Sequence, residues 1–308
     1  MDRMLLKENR WMDDVLFPVN VHRFTCTPDD NIFTCHWHDE LEFIRIREGE
    51  AQIQVGTEYV PLAAGEAVLV HGGELHAGHV PPESAGFSFS AVVFHDSLLY
   101  GNRLDAVQTR LLDPLLKGRM PAFLVITPGA AWSNRVLADL AELDALLAER
   151  PPAYEIGVKA LLFGMFYRIL PQLAGHGERT VAASQHAERM KAVLTHIRDH
   201  HARTLTIHEL ACLAGFSPGH FCTFFRRMAG TTFTDYLNRY RVNRAAELLR
   251  TSDRKILDVA MEVGFDNASY FISRFRKYMH CTPQAYRRQG GGAEQGSGMQ
   301  DNGGAAGR

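Results

Sequence analysis

Residues 211–227 have the sequence ACLAGFSPGHFCTFFRR, and residues 260–277 repeat it as AMEVGFDNASYFISRFRK. The Ala-x-x-x-Gly-Phe segment recurs at an offset of 49 residues, and the Phe-x-x-x-Phe-Arg segment behind it recurs at an offset of 50. The second copy therefore has one more residue in its turn. Self-similarity at this spacing indicates that one supersecondary unit occurs twice.

Each copy predicts a helix, a tight turn and a second helix. In the first copy, Thr206 and Glu209 have the spacing of a capping box that opens the first helix. Gly215 supplies the positive φ that ends this helix, and Ser217 caps the next. This order of signals is typical of the helix-turn-helix, whose second helix enters the major groove of DNA. Two such units, joined by a helix from Phe233 to Leu249, predict a tandem DNA-binding domain.

The second helix of each copy is predicted to have a buried and an outward face. The phenylalanines spaced by four residues should face the core; these are Phe221 and Phe225, then Phe271 and Phe275. The outward residues are predicted to bind DNA: Ser217, Pro218, Gly219, Cys222, Thr223, Arg226, Arg227, Asn267, Ala268, Ser269, Ser273, Arg274, Arg276 and Lys277. Most are small, so we expect DNA shape to provide much of the specificity and the basic residues to contact phosphates.

Basic residues are concentrated in the same third of the chain. Residues 187–289 contain 17 Lys and Arg against 9 Asp and Glu, whereas residues 1–186 contain 15 against 24. This asymmetry is expected when one domain binds a polyanion and the other does not. The composition, 46% hydrophobic and 22% charged, excludes a disordered, collagenous or coiled-coil protein.

The region from Met190 to Arg288 resembles the DNA-binding domain of the AraC/XylS family of transcription regulators. The resemblance is most specific over Gly264–Arg287 (GFDNASYFISRFRKYMHCTPQAYR), where His280 stands in place of a usual glycine. It implies a domain that places both second helices in adjacent major grooves. It also implies a protein that usually activates transcription by contacting RNA polymerase.

The chain before residue 126 predicts a β-rich domain. Short apolar segments separated by Gly, Pro and Asp predict strands over 17–25, 41–47, 51–55, 59–62, 67–70 and 87–94, which suits a sandwich or a small barrel. Helical periodicity then predicts an αα-hairpin over 131–147 and 154–173. The apolar stripe of the hairpin must be buried against the barrel or against the same hairpin of a second subunit.

Histidines in this β-rich region form the predicted ligand site. His36, His38 and Glu42 fit the spacing H-x-H-x3-E-x6-G that ends at Gly49, and His76 follows in a second segment. These segments resemble the two sequence motifs of the cupin β-barrel. Because alternate residues of a strand share a face, the side chains of His36, His38 and Glu42 should point into the barrel, where His76 can join them.

Three uses of this residue set stay open. The four side chains can bind a small organic effector, form a hydrogen-bonded ladder without a ligand, or hold a divalent metal. Fixed polar groups suit a hydroxyl-rich ligand, so a sugar or sugar derivative is the preferred effector, with no cofactor required. The alternative is a cupin metalloenzyme or a metal sensor fused to a DNA-binding domain.

The sequence therefore predicts an α+β protein of two domains. A cupin-like β-barrel with its αα-hairpin takes residues 1–175, a linker 176–188, the all-α tandem helix-turn-helix domain 189–289 and a disordered tail 290–308. We expect a cytoplasmic protein for three reasons. The five cysteines are scattered, the chain shows no signal peptide, and no apolar segment reaches about 18 residues. We expect a ligand-responsive transcription regulator, not an enzyme, that binds double-stranded DNA as a homodimer and activates genes for carbohydrates or small metabolites.

Overall fold

The computed structural model describes residues 16–26, 33–81, 84–101, 105–116, 120–173 and 181–291. The chain forms two compact units. The first comprises Met1–Thr195 and Ile207–Phe233, and the second comprises His196–Thr206 and Thr234–Arg308. The first helix-turn-helix thus belongs to the same unit as the β-rich domain. The described part of the predicted linker, residues 181–188, lies inside this first unit.

The β-rich domain is confirmed. Its strands in the described residues are β1 (Val19–Cys26), β2 (Phe33–His36), β3 (Leu41–Val55), β4 (Glu58–Ala63), β5 (Ala67–Val70), β6 (His76–His79), β7 (Phe87–Phe94) and β8 (Phe123–Ile126). Hydrogen bonds give the order β1-β7-β3-β5-β8, while β4 and β6 pair with the second half of β3 and β2 pairs with β6. The predicted strands do not include β2, β6 and β8.

The structure has one long strand, β3, where the sequence predicts two strands over 41–47 and 51–55, so the prediction of two strands is wrong. Strand β3 continues through Gly49, which has a φ of +74°, and a Cβ atom at this position would overlap the carbonyl oxygen of Gly86. Only glycine fits this conformation and this close approach. Before Gly49 the strand pairs with β5 and β7, and after it with β4 and β6, so β3 links the two halves of the domain.

Helices α1 (Ala131–Glu149) and α2 (Tyr154–Ile169) form the predicted αα-hairpin. Leu140 of α1 and Phe166 of α2 are at most 2% exposed and lie in one hydrophobic core with Phe43 and Phe94 of the sheet. The outside of the β-rich domain therefore buries the apolar stripe of the hairpin. The sequence alone left two partners open for this stripe, the barrel and the hairpin of a second subunit.

One helical segment of the described residues, Tyr154–Leu173, is long and apolar enough to cross a membrane by length and composition. Arg168 within it donates to the carboxylate of Asp139 at 3.1 Å, and the inner face of the helix packs in the core described above. These are the contacts of a core helix in a globular domain.

The C-terminal third is helical. Its helices in the described residues are α3 (Val181–His200), α4 (Ile207–Ala214), α5 (Pro218–Ala229), α6 (Phe233–Thr251), α7 (Ile256–Glu262), α8 (Ala268–Met279) and α9 (Pro283–Gly291). Helices α4 and α5 form the first helix-turn-helix, α7 and α8 form the second, and α6 connects the two in the chain. The predicted α+β class with a tandem helix-turn-helix region is confirmed.

The predicted caps at Gly215 and Ser217 are present. Gly215 has a φ of +71°, and the Ser217 hydroxyl accepts a hydrogen bond from the backbone N–H of His220. Asn267 caps α8 in the same way. His280, which replaces the usual glycine, ends α8 with a φ of +54°, so this histidine adopts the left-handed conformation that the turn requires.

The predicted linker is wrong where the structure describes it, because α3 already begins at Val181. The segment 181–188 is small and polar, but its Ala, Gln and Glu residues favour helix, and Ala187 is buried. Likewise α9 continues to Gly291, inside the predicted tail. Residues 176–180 of the linker and 292–308 of the tail lie outside the described residues.

Candidate functional site

The structure brings the four predicted ligand-site residues together. His36 ends β2, His38 precedes β3, Glu42 lies in β3 and His76 begins β6. Each is at most 4% exposed, and one ligand atom from each lies within 4.8 Å of those of the other three. The antiparallel pairing of His36 with His76 across β2 and β6 is what closes this buried polar cluster.

The orientation of the three imidazoles is fixed by the backbone. Each Nδ1 contacts a carbonyl oxygen two residues away: Thr34 for His36, Glu40 for His38 and Glu74 for His76, at 3.0, 3.1 and 2.9 Å. A carbonyl oxygen can only accept a hydrogen bond, so each Nδ1 carries a proton. In a neutral imidazole the other ring nitrogen, Nε2, then presents a lone pair.

Two of these imidazoles face the carboxylate of Glu42. Nε2 of His38 and Nε2 of His76 lie 2.9 and 3.0 Å from Oε2 of Glu42. Neutral imidazoles in this tautomer cannot donate to that oxygen, and an ionised carboxylate can only accept. A proton, on a ring nitrogen or on the carboxyl group, or a bound cation must therefore lie between these facing atoms.

A second buried polar contact joins β3 to α5, within the same compact unit. Gln54 of β3 is 1% exposed, and its Nε2 donates to the backbone carbonyls of Arg227 and Met228 at 3.1 and 3.2 Å. These carbonyls belong to the last turn of α5, where a helix leaves acceptors unpaired. Gln54 thus serves as a side-chain cap for the C-terminal end of α5.

Strand β6 takes part in the same contact. Nε2 of His79 lies 3.2 Å from Oε1 of Gln54, and burial lowers the pKa of His79. Gly230, which ends α5 with a φ of +69°, lies so close that a Cβ atom there would be 2.6 Å from Cε1 of His79. Since β6 also carries His76, one short strand connects the buried polar cluster with the end of α5.

The two candidate DNA-reading helices have the predicted faces. Phe221, Phe225, Phe271 and Phe275 are fully buried. The residues predicted to bind DNA are exposed, apart from Arg274, which is half-buried with its guanidinium 5.1 Å from the ring centre of Tyr270. Arg274 lies at the border of the two faces of α8, so the prediction of a fully outward side chain is wrong. Their contacts with DNA stay predictions.

Three further residues of these helices are solvent-exposed but are absent from the predicted DNA-binding set. His220 of α5, together with Tyr270 and Ile272 of α8, is solvent-exposed beside the predicted set. The sequence analysis leaves them out because aromatic and apolar side chains are usually buried in a core. The repeat could have found Ile272, because it matches the predicted Cys222 at the offset of 50.

A β-rich domain with a buried polar cluster, followed by two helix-turn-helix units, defines a ligand-responsive DNA-binding transcription regulator. Residues 18–117 match the model of the AraC-like ligand binding domain, and residues 210–289 match the model of a helix-turn-helix domain. The chain belongs to the AraC family of transcription regulators.

Several curated proteins are similar to this chain. The HTH-type transcriptional regulator YdeC of Bacillus subtilis is 25% identical over 92% of this chain and 96% of its own length. The melibiose operon regulatory protein of Escherichia coli K12 is 23% identical over 83% of each chain. The transposon Tn10 TetD protein of Escherichia coli is 31% identical over 33% of this chain and 75% of its own length.

Proposed function

We propose that this protein switches transcription when a small ligand binds at the buried polar cluster of His36, His38, Glu42 and His76. The observation that carries the proposal is that β6 holds both His76 of the cluster and His79, which contacts the end of α5. If β6 has two arrangements, a ligand that binds one of them more tightly shifts the protein toward it. The change in DNA affinity is then limited by the difference between the ligand's affinities for the two arrangements. The protein acts in the cytoplasm by binding and not by catalysis, as an activator that contacts RNA polymerase.

DNA binding through α5 is tested by Arg226→Ala. Arg226 is exposed on α5, so we expect its loss to weaken binding to all sequences equally and to reduce the salt dependence by about one unit, because one phosphate contact is removed. The measurement is a binding isotherm at several salt concentrations. Arg110→Ala, an exposed arginine of the β-rich domain, is the matched control. An unchanged salt slope for Arg226→Ala would contradict the assignment.

The preferred effector is a small polar molecule of the carbohydrate class. Buried donors and acceptors at fixed positions select ligands that can pair with them, and one relative is named for the operon of a sugar, melibiose. A thermal-shift screen of sugars on the full chain tests this proposal. We expect a stabilising sugar to have no effect on a His36→Ala/His38→Ala variant.

The second candidate effector is a divalent metal. Two observations support this candidate: each Nδ1 is held by a backbone carbonyl, and the Nε2 atoms of His38 and His76 face the carboxylate of Glu42. His36, His38, Glu42 and His76 would hold such a metal, which would accept the imidazole lone pairs and pair with the carboxylate. This candidate makes the protein a metal sensor, or a cupin metalloenzyme if the metal also supports turnover.

We also propose that the protein is a homodimer through the outer face of α2. Ile156, Phe163 and Tyr167 of α2 are 72%, 40% and 77% exposed, although the helix already buries its other face. We expect Tyr167→Asp to convert a dimer to a monomer in sedimentation equilibrium, since a charge cannot be buried unpaired in an apolar interface. Leu111→Asp, at a position of similar type that is 47% exposed, should leave the dimer intact. A dimer in both variants would contradict this interface.

A further inference from the structure

Helix α8 has an isoleucine on the face that it turns to solvent. Ser269, Ile272, Ser273 and Arg276 recur at spacings of three and four residues, so they share one side of the helix. Ile272 is 40% exposed, whereas Phe271 and Phe275 on the opposite side are fully buried. The core of the second helix-turn-helix is thus filled without Ile272.

The chemistry of the major groove limits what an aliphatic side chain can recognise. Base edges present hydrogen-bond donors and acceptors there, and the C5-methyl group of thymine is the apolar group among them. A buried isoleucine beside a donor or acceptor would leave that polar group without its hydrogen bond, at a cost. Beside a thymine methyl, both apolar groups leave water together, which is favourable.

The neighbours of Ile272 permit such an approach. Ser269 and Ser273 are short, so the backbone of α8 can come close to the base edges while Ile272 extends between them. The aligned position of the first repeat is Cys222, which has a smaller side chain.

Resting on the proposed binding of α8 to DNA, we propose that Ile272 contacts the methyl group of one thymine and makes thymine a determinant of the half-site that α8 reads. The test uses the full-length protein and a DNA site selected with it from a random library. Each thymine of this site is replaced in turn by deoxyuridine, which lacks only the methyl group.

We expect one such replacement to weaken binding by the wild-type protein about fourfold, the value of one buried methyl group. Ile272→Ala should bind the thymine and uracil forms of that site equally well. Ile272→Val, which keeps a shorter branched side chain, should retain part of the difference.

Ile207→Ala is the matched control, because Ile207 is a similarly exposed isoleucine, 38%, outside the reading helices. This variant should discriminate thymine from uracil as the wild type does. The inference is overturned if Ile272→Ala discriminates as the wild type does, or if no thymine responds. Failure of the wild-type protein to select any sequence is a separate result, and it refutes the DNA-reading role of α8 together with this inference.

Discussion

The Glu42→Ala variant is expected to lose about 3–5 kcal/mol of unfolding free energy, the usual cost of removing one partner of a buried ionic contact. Glu42 is 2% exposed and faces Nε2 of both His38 and His76. Its removal leaves the charge or the lone pairs of two buried imidazoles without their partner. Chemical denaturation of the full chain measures the change.

Glu50→Ala is the control for this loss. Glu50 lies in the same strand, β3, but is exposed, so its replacement should change the unfolding free energy by less than about 0.5 kcal/mol. Equal stability of the two variants would show that the buried polar cluster does not form in solution.

The same variant separates the two candidate effectors. If a divalent metal is the effector, elemental analysis should find about one ion per wild-type chain and none in Glu42→Ala, and a chelator should destabilise only the wild type. A metal-free wild-type protein whose stability does not change when metal is added contradicts the metal candidate. The carbohydrate screen then decides on the preferred effector.

The Gln54→Ala variant is expected to lose about 1–3 kcal/mol, because it removes a buried donor and leaves two carbonyls of α5 without this partner. Both carbonyls lie at the end of α5, so amide hydrogen exchange in the last turn of this helix should become faster. Gln52→Ala is the control, since Gln52 lies in the same strand and is only half-buried. Unchanged exchange in α5 would show that Gln54 does not cap this helix in solution.

The sequence alone predicts the helix-turn-helix repeat well, since its signals act over a few residues. The cap at Ser217, the positive φ of Gly215 and the spacing of Phe271 and Phe275 are local properties, and the structure confirms all of them. Local signals were also misleading in two places. Small polar residues suggested a linker where α3 begins, and a glycine suggested a break where β3 continues.

Contacts between residues far apart in the chain were decided by the tertiary structure. The spacing predicts that His36, His38 and Glu42 share the face of one strand, but they lie in β2, between the strands and in β3. Only the tertiary structure, with β2 paired to β6, brings them and His76 together. Gln54 meets Arg227 across 173 residues, and no pattern of residue types encodes that contact. Periodicity reports which side of an element is buried. It does not report which other element covers that side, because this depends on packing of the whole unit.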